Sequence, residues 1–297
     1  MATIIDQLKY RYKNGDVLVK FIFINIAVFL VLKIINVIFV LFNIRVLELI
    51  TFLGVPSELS QLLNRLWTLF TYMFVHEQFW HLLFNMLWLY WFGRIFLQYF
   101  SGRTLGSLYI LGGLAGAFLY ILTFNTIPYF VGLGHSWMIG ASAAVMAIVM
   151  GAAFYRPNVQ LNLLLIGQVR IIYIAIGVFL LDFLSLGSGI NEGGHVAHIG
   201  GAIAGYIFAW QYRNGRDITG WVSKILDGLA NLTKRRPPRR KTRMKVEYRR
   251  AETDMEYNER KHNEQAEIDA ILDKLKQSGY SNLSSEEKRK LFDASKK

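Results

Sequence analysis

Long apolar stretches separated by short polar links dominate the chain up to about residue 212. Six of them are long enough, or nearly so, for a helix to cross a hydrocarbon core about 30 Å thick at about 1.5 Å per residue. They lie at 20–43, 81–100, 105–127, 137–155, 170–187 and 195–212. The fourth and sixth are short, so we expect these helices to begin below the membrane surface. The pattern predicts an all-α, polytopic membrane protein, a bundle of six transmembrane helices with a cytoplasmic helical tail.

Composition agrees with a membrane protein. The chain has 297 residues, of which 53% are hydrophobic, and its mean hydropathy of +0.30 is too high for an ordinary soluble domain. The first 18 residues are polar and the first apolar stretch is too long for the core of a cleavable signal, so no signal peptide is expected. Cysteine is absent, which excludes a disulfide, a thiol nucleophile and a cysteine zinc site.

Basic residues predict the orientation of the bundle. Lys and Arg gather in the N-terminal segment, in the links after the second and fourth helices and after the sixth helix, whereas the other links are poor in them. Because positive charge stays on the cytoplasmic side, both termini should be cytoplasmic. The second, fourth and sixth helices then begin at the outer face of the cell membrane. Their first turns hold His81 and Asn85, Ser142, and His198 respectively, so these polar groups share one depth.

Four regions follow from these changes in composition. We predict a cytoplasmic N-terminal segment at 1–19, a six-helix domain at 20–212, an amphipathic helix with a basic linker at 213–250, and a small helical module at 251–297.

The two regions after the bundle differ in sequence pattern, and each pattern predicts a different structure. Ten Lys and Arg lie between residues 234 and 250 against Glu247 alone, which beside a membrane favours binding to anionic lipid over binding to nucleic acid. In the last region, Ser278-Gly279 predicts a helix stop, and Ser284 with Glu287 predicts a capping box. These signals indicate a short helical hairpin.

Ser142, in Gly140-Ala141-Ser142-Ala143, is the candidate nucleophile. A serine hydroxyl needs a base within hydrogen-bond reach, and histidine is the usual base because it titrates near neutral pH. Gly201 and Gly205 leave a smooth surface beside His198, and the small residues of the fourth helix offer a matching face. Close contact between these helices would place Ser142 beside His198.

A serine nucleophile also needs donors for the oxyanion that forms when it attacks a carbonyl. The N-terminal turn of the fourth helix offers free backbone N–H groups around Ser142. His81 and Asn85 are four residues apart, so both project from one face of the second helix. We therefore expect these two side chains to complete an oxyanion site.

Four motifs occur in a specific order along the chain. They are Trp67-Thr68-Leu69-Phe70-Thr71, then His76 followed by His81 and Asn85, then Gly140-Ala141-Ser142, then Ala197-His198 followed by Gly201 and Gly205. In this order and spacing, the chain resembles the rhomboid family of intramembrane serine proteases over residues 20–212. Residues 251–297 resemble a short module found after some bacterial members.

The resemblance implies a role for each matched residue. Ser142 would be the nucleophile and His198 the base of a catalytic dyad. His81, Asn85 and the backbone beside Gly140 would bind the oxyanion and the substrate. The residues with a structural role near the site would be His76, Met146, Gly201 and Gly205. No cofactor and no metal ion are implied.

Ala143 and Met146 are among the positions that depart from the common family pattern. Ala143 stands where a second glycine usually follows the serine, and it is small enough to be tolerated. Met146 stands where an aromatic residue often packs on the catalytic imidazole. A thioether can also pack against a ring, but we expect it to hold His198 less firmly.

Two other arrangements of the site are considered. Asp182 could orient His198 in a Ser-His-Asp triad, although the interpretation favoured by the sequence is a cap or a water-facing carboxylate. The second alternative arrangement is a zinc site. His76 and His81 are five residues apart instead of the four of the zinc motif, and no carboxylate pattern completes a set with His195 and His198.

The sequence thus predicts an intramembrane serine endopeptidase of the bacterial cell membrane, whose partners are transmembrane protein substrates and the lipid bilayer. The alternative is a catalytically inactive rhomboid-like factor that binds membrane proteins, which would be expected to lack the serine or the histidine. A transporter would show paired repeats, and the sequence has no internal repeat. It gives no indication of the oligomeric state.

Overall fold

A computed structural model describes residues 14–43, 47–163, 167–233 and 254–295, together with Asp6 and Tyr12. The chain divides into two compact units, 1–235 and 236–297. The basic linker predicted between 234 and 250 lies outside the described residues. Both units are mostly helical.

The first unit contains a helix at each of the six predicted apolar stretches. Its helices are α1 Val17–Leu41, α2 Leu47–Leu53, α3 Leu59–Leu63, α4 Thr68–Thr71, α5 Phe79–Phe96, α6 Gly102–Thr126, α7 Pro128–Gly132, α8 Ser142–Tyr155, α9 Ile171–Leu184, α10 Glu192–Arg213 and α11 Gly220–Thr233. Within the described ranges, α1 and α6 are long and apolar enough to cross a membrane, and α8 and α9 are shorter apolar helices. Membrane crossing by all six segments therefore stays a prediction.

Short strands make the unit less purely helical than predicted. β1 Val55–Pro56 pairs antiparallel with β2 Trp137–Met138, placing Val55 opposite Met138. Both of these residues are buried. β3 Gln160–Leu163 and β4 Gly167–Arg170 form an antiparallel hairpin before α9. The first pairing joins the chain that leads into α8 to the segment between α2 and α3.

Small residues bring α6, α8 and α10 into close contact. A Cβ atom added to Gly116 of α6 would lie 2.6 Å from Ala143 Cβ. A Cβ added to Gly201 of α10 would overlap the carbonyl oxygen of Ala143, and one added to Gly205 would overlap that of Ala147. Helices surrounded by lipid associate through such close backbone approach. The predicted contact between the serine helix and the His198 helix is thus present, and it rests on glycine.

A second set of contacts holds the chain that precedes α8. The Tyr72 hydroxyl donates to the Gly113 carbonyl at 2.6 Å, and the Tyr109 hydroxyl donates to the Met73 carbonyl at 2.8 Å. The N–H of Gly140 in turn donates to the Tyr72 carbonyl at 2.9 Å. The turn around Tyr72 therefore connects α6 to the approach to Ser142.

Helix α11 matches the predicted amphipathic helix after the bundle. Trp221 and Ile225 are exposed, as on an interfacial helix, whereas Val222 is buried. The Ser223 hydroxyl bonds the Ser107 hydroxyl of α6 at 2.7 Å, so part of α11 packs on α6.

The second unit is a helical hairpin of α12 Asp254–Ser278 and α13 Ser285–Ala294. Helix α12 ends before Gly279, whose φ of +76° suits glycine. The Ser284 hydroxyl accepts from the Glu287 N–H at 3.2 Å, and Glu287 accepts from the Ser284 N–H at 2.6 Å. The predicted helix stop and capping box are both confirmed. The Lys274 side chain and the Ser284 backbone lower the pKa of Glu287 to about 2.

Candidate active site

A cavity of about 260 Å³ lies where α5, α8, α9 and α10 meet. It is lined by His81, Phe84, Asn85, Trp88, Ser142, Val145, Met146, Val149, Val178, Asp182, Asn191 and His198. The cavity thus brings together four side chains that the sequence placed at one depth: Ser142, His198, His81 and Asn85. Its remaining wall is largely apolar.

Ser142 is the first residue of α8 and is half-buried. Two residues earlier, Gly140 has a φ of +121°, which side chains other than glycine rarely adopt. A Cβ at Gly140 would lie 2.8 Å from Cε1 of His81 and 3.8 Å from the Ser142 hydroxyl oxygen. Glycine therefore allows the His81 imidazole to reach the backbone beside the candidate nucleophile.

His76 supports the same backbone from the other side. Its imidazole is 2% exposed, and its Nε2 accepts the N–H of Ala141 at 3.4 Å. The rings of His76 and His81 meet edge to face with centroids 5.1 Å apart. His76 does not line the cavity, and its structural role stays a prediction.

The groups predicted to bind an oxyanion surround the start of α8. The first N–H groups of a helix have no partner within the helix, and those of α8 begin at Ser142. Asn85 is buried, and its Nδ2 donates to the His81 carbonyl at 2.9 Å. A carboxamide nitrogen carries two hydrogens, so this bond leaves a second one to donate.

His198 is bonded to Asp182, which the sequence raised only as an alternative partner. The Asp182 carboxylate is 8% exposed, and its Oδ1 lies 2.8 Å from Nδ1 of His198 and 2.9 Å from Nδ1 of His195. The expectation of a cap or a water-facing carboxylate is therefore wrong. The spacing of residues near the end of α9 does not show which helix they face, so the sequence could only raise Asp182 as an alternative.

Asp182, His195 and His198 are also the described residues that could hold a metal ion, because their ligand atoms lie within 4.8 Å of one another. Two imidazoles and a carboxylate suit zinc and related cations. The sequence-based statement that no carboxylate completes this set is thus wrong. The distances of 2.8 and 2.9 Å are those of hydrogen bonds, in which one carboxylate oxygen accepts from both rings.

Met146 lines the cavity and is 6% exposed. Ser142 and His198 line the cavity with it, and in the described part of the chain no direct hydrogen bond joins their side chains. Such bonds are often long before substrate binds and tighten in the complex. Because Nδ1 of His198 faces Asp182, Nε2 is the nitrogen left for Ser142.

A second cavity of about 650 Å³ adjoins the first, since His81 and Asn191 line both. The loop before α8 and the loop between α9 and α10 form its walls. Glu192 holds the latter loop by accepting from the N–H groups of Gly187 and Gly189 at 3.1 and 2.7 Å. The two cavities thus meet beside His81 and Asn191.

His135 lies on the second cavity, apart from Ser142. Its Nδ1 is 3.3 Å from Glu58, and its side chain is 69% exposed. His135 is thus directed to solvent.

A further cavity, of about 600 Å³, lies at the opposite ends of α8 and α10 and contains none of the predicted site residues. Tyr155, Arg156, Tyr212 and Arg213 are among its lining residues. The residues that line it do not include a serine nucleophile with a histidine base. The smaller, more apolar cavity at Ser142 is therefore the candidate active site.

Comparison with known proteins agrees with the resemblance in the sequence. The model of the rhomboid domain matches residues 63–215, and the model of a family of unknown function matches residues 251–297. RHOMBOID-like protein 12, mitochondrial, from Arabidopsis thaliana is 30% identical over 164 residues, which are 52% of this chain and 48% of that protein. The chain thus spans about half the length of this curated relative. Since the domain model covers half of the chain, including every residue of the candidate site, the protein belongs to the rhomboid family.

Proposed function

We propose that this protein is an intramembrane serine endopeptidase that cleaves transmembrane segments of membrane proteins. The observation that carries the proposal is the single cavity lined by Ser142, His198, His81 and Asn85. A nucleophile, a base and two oxyanion donors are the groups that acyl transfer requires.

In the proposed first step, the Ser142 oxygen attacks the carbonyl carbon of the scissile peptide bond, and its proton passes to Nε2 of His198. The carbonyl oxygen becomes an oxyanion. It accepts from the backbone N–H of Ser142 and from the side chains of His81 and Asn85. Collapse of this intermediate breaks the C–N bond, and His198 returns the proton to the leaving amine.

In the second step, water attacks the acyl-enzyme and gives its proton to His198. A new tetrahedral intermediate uses the same oxyanion donors and expels the Ser142 oxygen, which takes the proton back. The larger cavity beside Asn191 supports this step, because it gives water a route to the site. The overall reaction is hydrolysis of one peptide bond and needs no cofactor.

The proposed setting is the cell membrane, with six crossings, both termini in the cytoplasm and the site open to the outer face. The Lys and Arg distribution supports this orientation. Apolar residues of the cavity wall, such as Phe84, Trp88 and Val178, suit a substrate segment that unwinds from a transmembrane helix. The basic linker would bind anionic lipid at the cytoplasmic surface.

The rival within the same family is a rhomboid-like protein that binds membrane proteins without cleaving them. The curated relative is named only as rhomboid-like, so its name carries no activity to this chain. The presence of both Ser142 and His198 at one cavity favours the protease.

The deciding experiment compares the wild type with Ser142→Ala in proteoliposomes containing a fluorescent single-span substrate. Ser185→Ala is the matched control, because the Ser185 hydroxyl only bonds a carbonyl of its own helix at 2.7 Å. We expect cleavage by the wild type and the control, and none by Ser142→Ala. Cleavage by Ser142→Ala at the wild-type rate would refute the proposed nucleophile. A wild type that co-purifies with membrane proteins but cleaves none of a panel of single-span and multi-span substrates would favour the binding factor.

A further inference from the structure

Asp182 of α9 bridges two imidazoles of the next helix. Its Oδ1 accepts from Nδ1 of His195 and from Nδ1 of His198, at 2.9 and 2.8 Å. The two histidines are one helical turn apart on α10, and their rings are nearly perpendicular, at 88°. One carboxylate oxygen thus fixes the direction of both rings.

We propose that Asp182 is a positioning residue that orients His198. Ser142, His198 and Asp182 then act as a triad in place of a simple dyad. The inference rests on the proposed function. A carboxylate that accepts from Nδ1–H selects the imidazole tautomer in which Nε2 is unprotonated and free to take the serine proton. After that transfer, its negative charge stabilises the imidazolium.

His195 has a secondary role in this arrangement. It does not line the cavity with Ser142, so it cannot serve the serine directly. Its hydrogen bond to the same oxygen restrains the Asp182 carboxylate, which is held between α9 and the first turns of α10. Removing the His195 ring should therefore loosen the carboxylate while leaving its bond to His198.

The other titratable groups near His198 do not replace Asp182. His81 of α5 lies across the cavity and offers no negative charge. The Glu192 carboxylate, at the start of α10, is occupied by two backbone N–H groups and by the Tyr129 hydroxyl at 3.0 Å. Among the residues that the structure describes, Asp182 is therefore the carboxylate that faces the candidate base.

The kinetic test compares Asp182→Asn with Glu58→Gln in the full chain reconstituted in proteoliposomes. Glu58 and His135 form the matched carboxylate–imidazole pair, 3.3 Å apart and away from Ser142. We expect Asp182→Asn to lower kcat by roughly 10²–10⁴ with little change in KM, and to change the shape of the pH–rate profile. Glu58→Gln should keep the wild-type kcat and pH profile, and His195→Ala should lose less than Asp182→Asn.

A second measurement does not depend on the folding of a variant. Nitrogen NMR of the wild type with isotope-labelled histidine, assigned by comparison with His198→Ala, reports which ring nitrogen of His198 is protonated. We expect the neutral ring to carry its proton on Nδ1. A neutral ring protonated on Nε2 would overturn the inference even if Asp182→Asn did not fold.

The outcomes separate this inference from the proposed function. Wild-type kcat and pH profile in Asp182→Asn, with Ser142→Ala and His198→Ala both inactive, would overturn the role of Asp182 and leave the dyad. Full activity in Ser142→Ala would instead refute the proposed protease mechanism itself.

Discussion

The two sides of the candidate cavity each carry a pair of histidines, and the pairs make different contacts. On the α5 side, His76 accepts the Ala141 N–H, and His81 lies beside Gly140. On the α9–α10 side, His195 and His198 both bond the Asp182 carboxylate. The first pair thus meets backbone and the second meets a negative charge.

This difference indicates that the two pairs of histidines have different chemical roles. An imidazole that contacts backbone and another imidazole can support the loop or donate to an oxyanion, but neither contact supplies a negative charge that would stabilise its charged form. An imidazole on a buried carboxylate is suited to accept a proton, because the carboxylate compensates the charge it gains. The difference supports the proposal that the α5 side binds the oxyanion and the α9–α10 side transfers the proton.

The largest expected effect is that of His198→Ala. If proton transfer belongs to the α9–α10 side, this change should lower kcat by an amount on the order of 10⁴–10⁶, as loss of one member of a serine–base unit does. The measurement is cleavage of a single-span substrate in proteoliposomes. His262→Ala is the control, since His262 is exposed to solvent on α12 and lines neither cavity. Near-wild-type cleavage by folded His198→Ala would show that proton transfer does not depend on the α9–α10 side.

Asn85→Ala should have the next largest effect. Loss of an oxyanion donor should lower kcat by roughly 10²–10³. Asn125→Ala is a suitable control, because the Asn125 amide also donates to the carbonyl four residues before it, Ile121, at 2.7 Å. Equal rates for Asn85→Ala and the control would mean that Asn85 serves only its helix.

His76→Ala should affect stability more than chemistry. It leaves the buried Ala141 N–H without its acceptor, which costs about 1–3 kcal/mol. We expect a lower midpoint in thermal unfolding of the detergent-solubilised protein, and a smaller loss of activity per folded molecule than in Asn85→Ala. An inactive His76→Ala variant with wild-type thermal stability would show instead that His76 acts in catalysis.

The smallest expected effect is that of metal removal. Since both imidazoles on the α9–α10 side are hydrogen-bonded to Asp182, treatment with a strong chelator should leave the cleavage rate unchanged. The assay is run before and after chelation, and again after adding zinc. Loss of activity that zinc restores would mean that Asp182, His195 and His198 hold a metal ion, and it would replace the proton-transfer assignment.

The sequence predicted the helices and their contacts better than it predicted the bond between Asp182 and His198. The apolar stretches gave a helix at each expected position, and the small residues beside His198 gave the contact of Gly201 with Ala143. Both signals are local, since periodicity and residue size can be read along one segment. The capping box of Ser284 and Glu287 was predictable for the same reason.

What the sequence missed depends on tertiary geometry. The bond between Asp182 and His198 requires the rotation of α9 about its axis, which packing against neighbours sets. The pairing of Val55 with Met138 joins strands of two residues, too short for any alternation of apolar and polar positions to appear.

The most direct test of the central claim is covalent labelling of the wild-type protein in membranes with a fluorophosphonate, followed by peptide mapping. This reagent reacts with a serine that a neighbouring base activates. We predict one adduct, on Ser142, that disappears in Ser142→Ala and forms far more slowly in His198→Ala. A wild type that cleaves its substrate while Ser142 stays unlabelled would contradict the account.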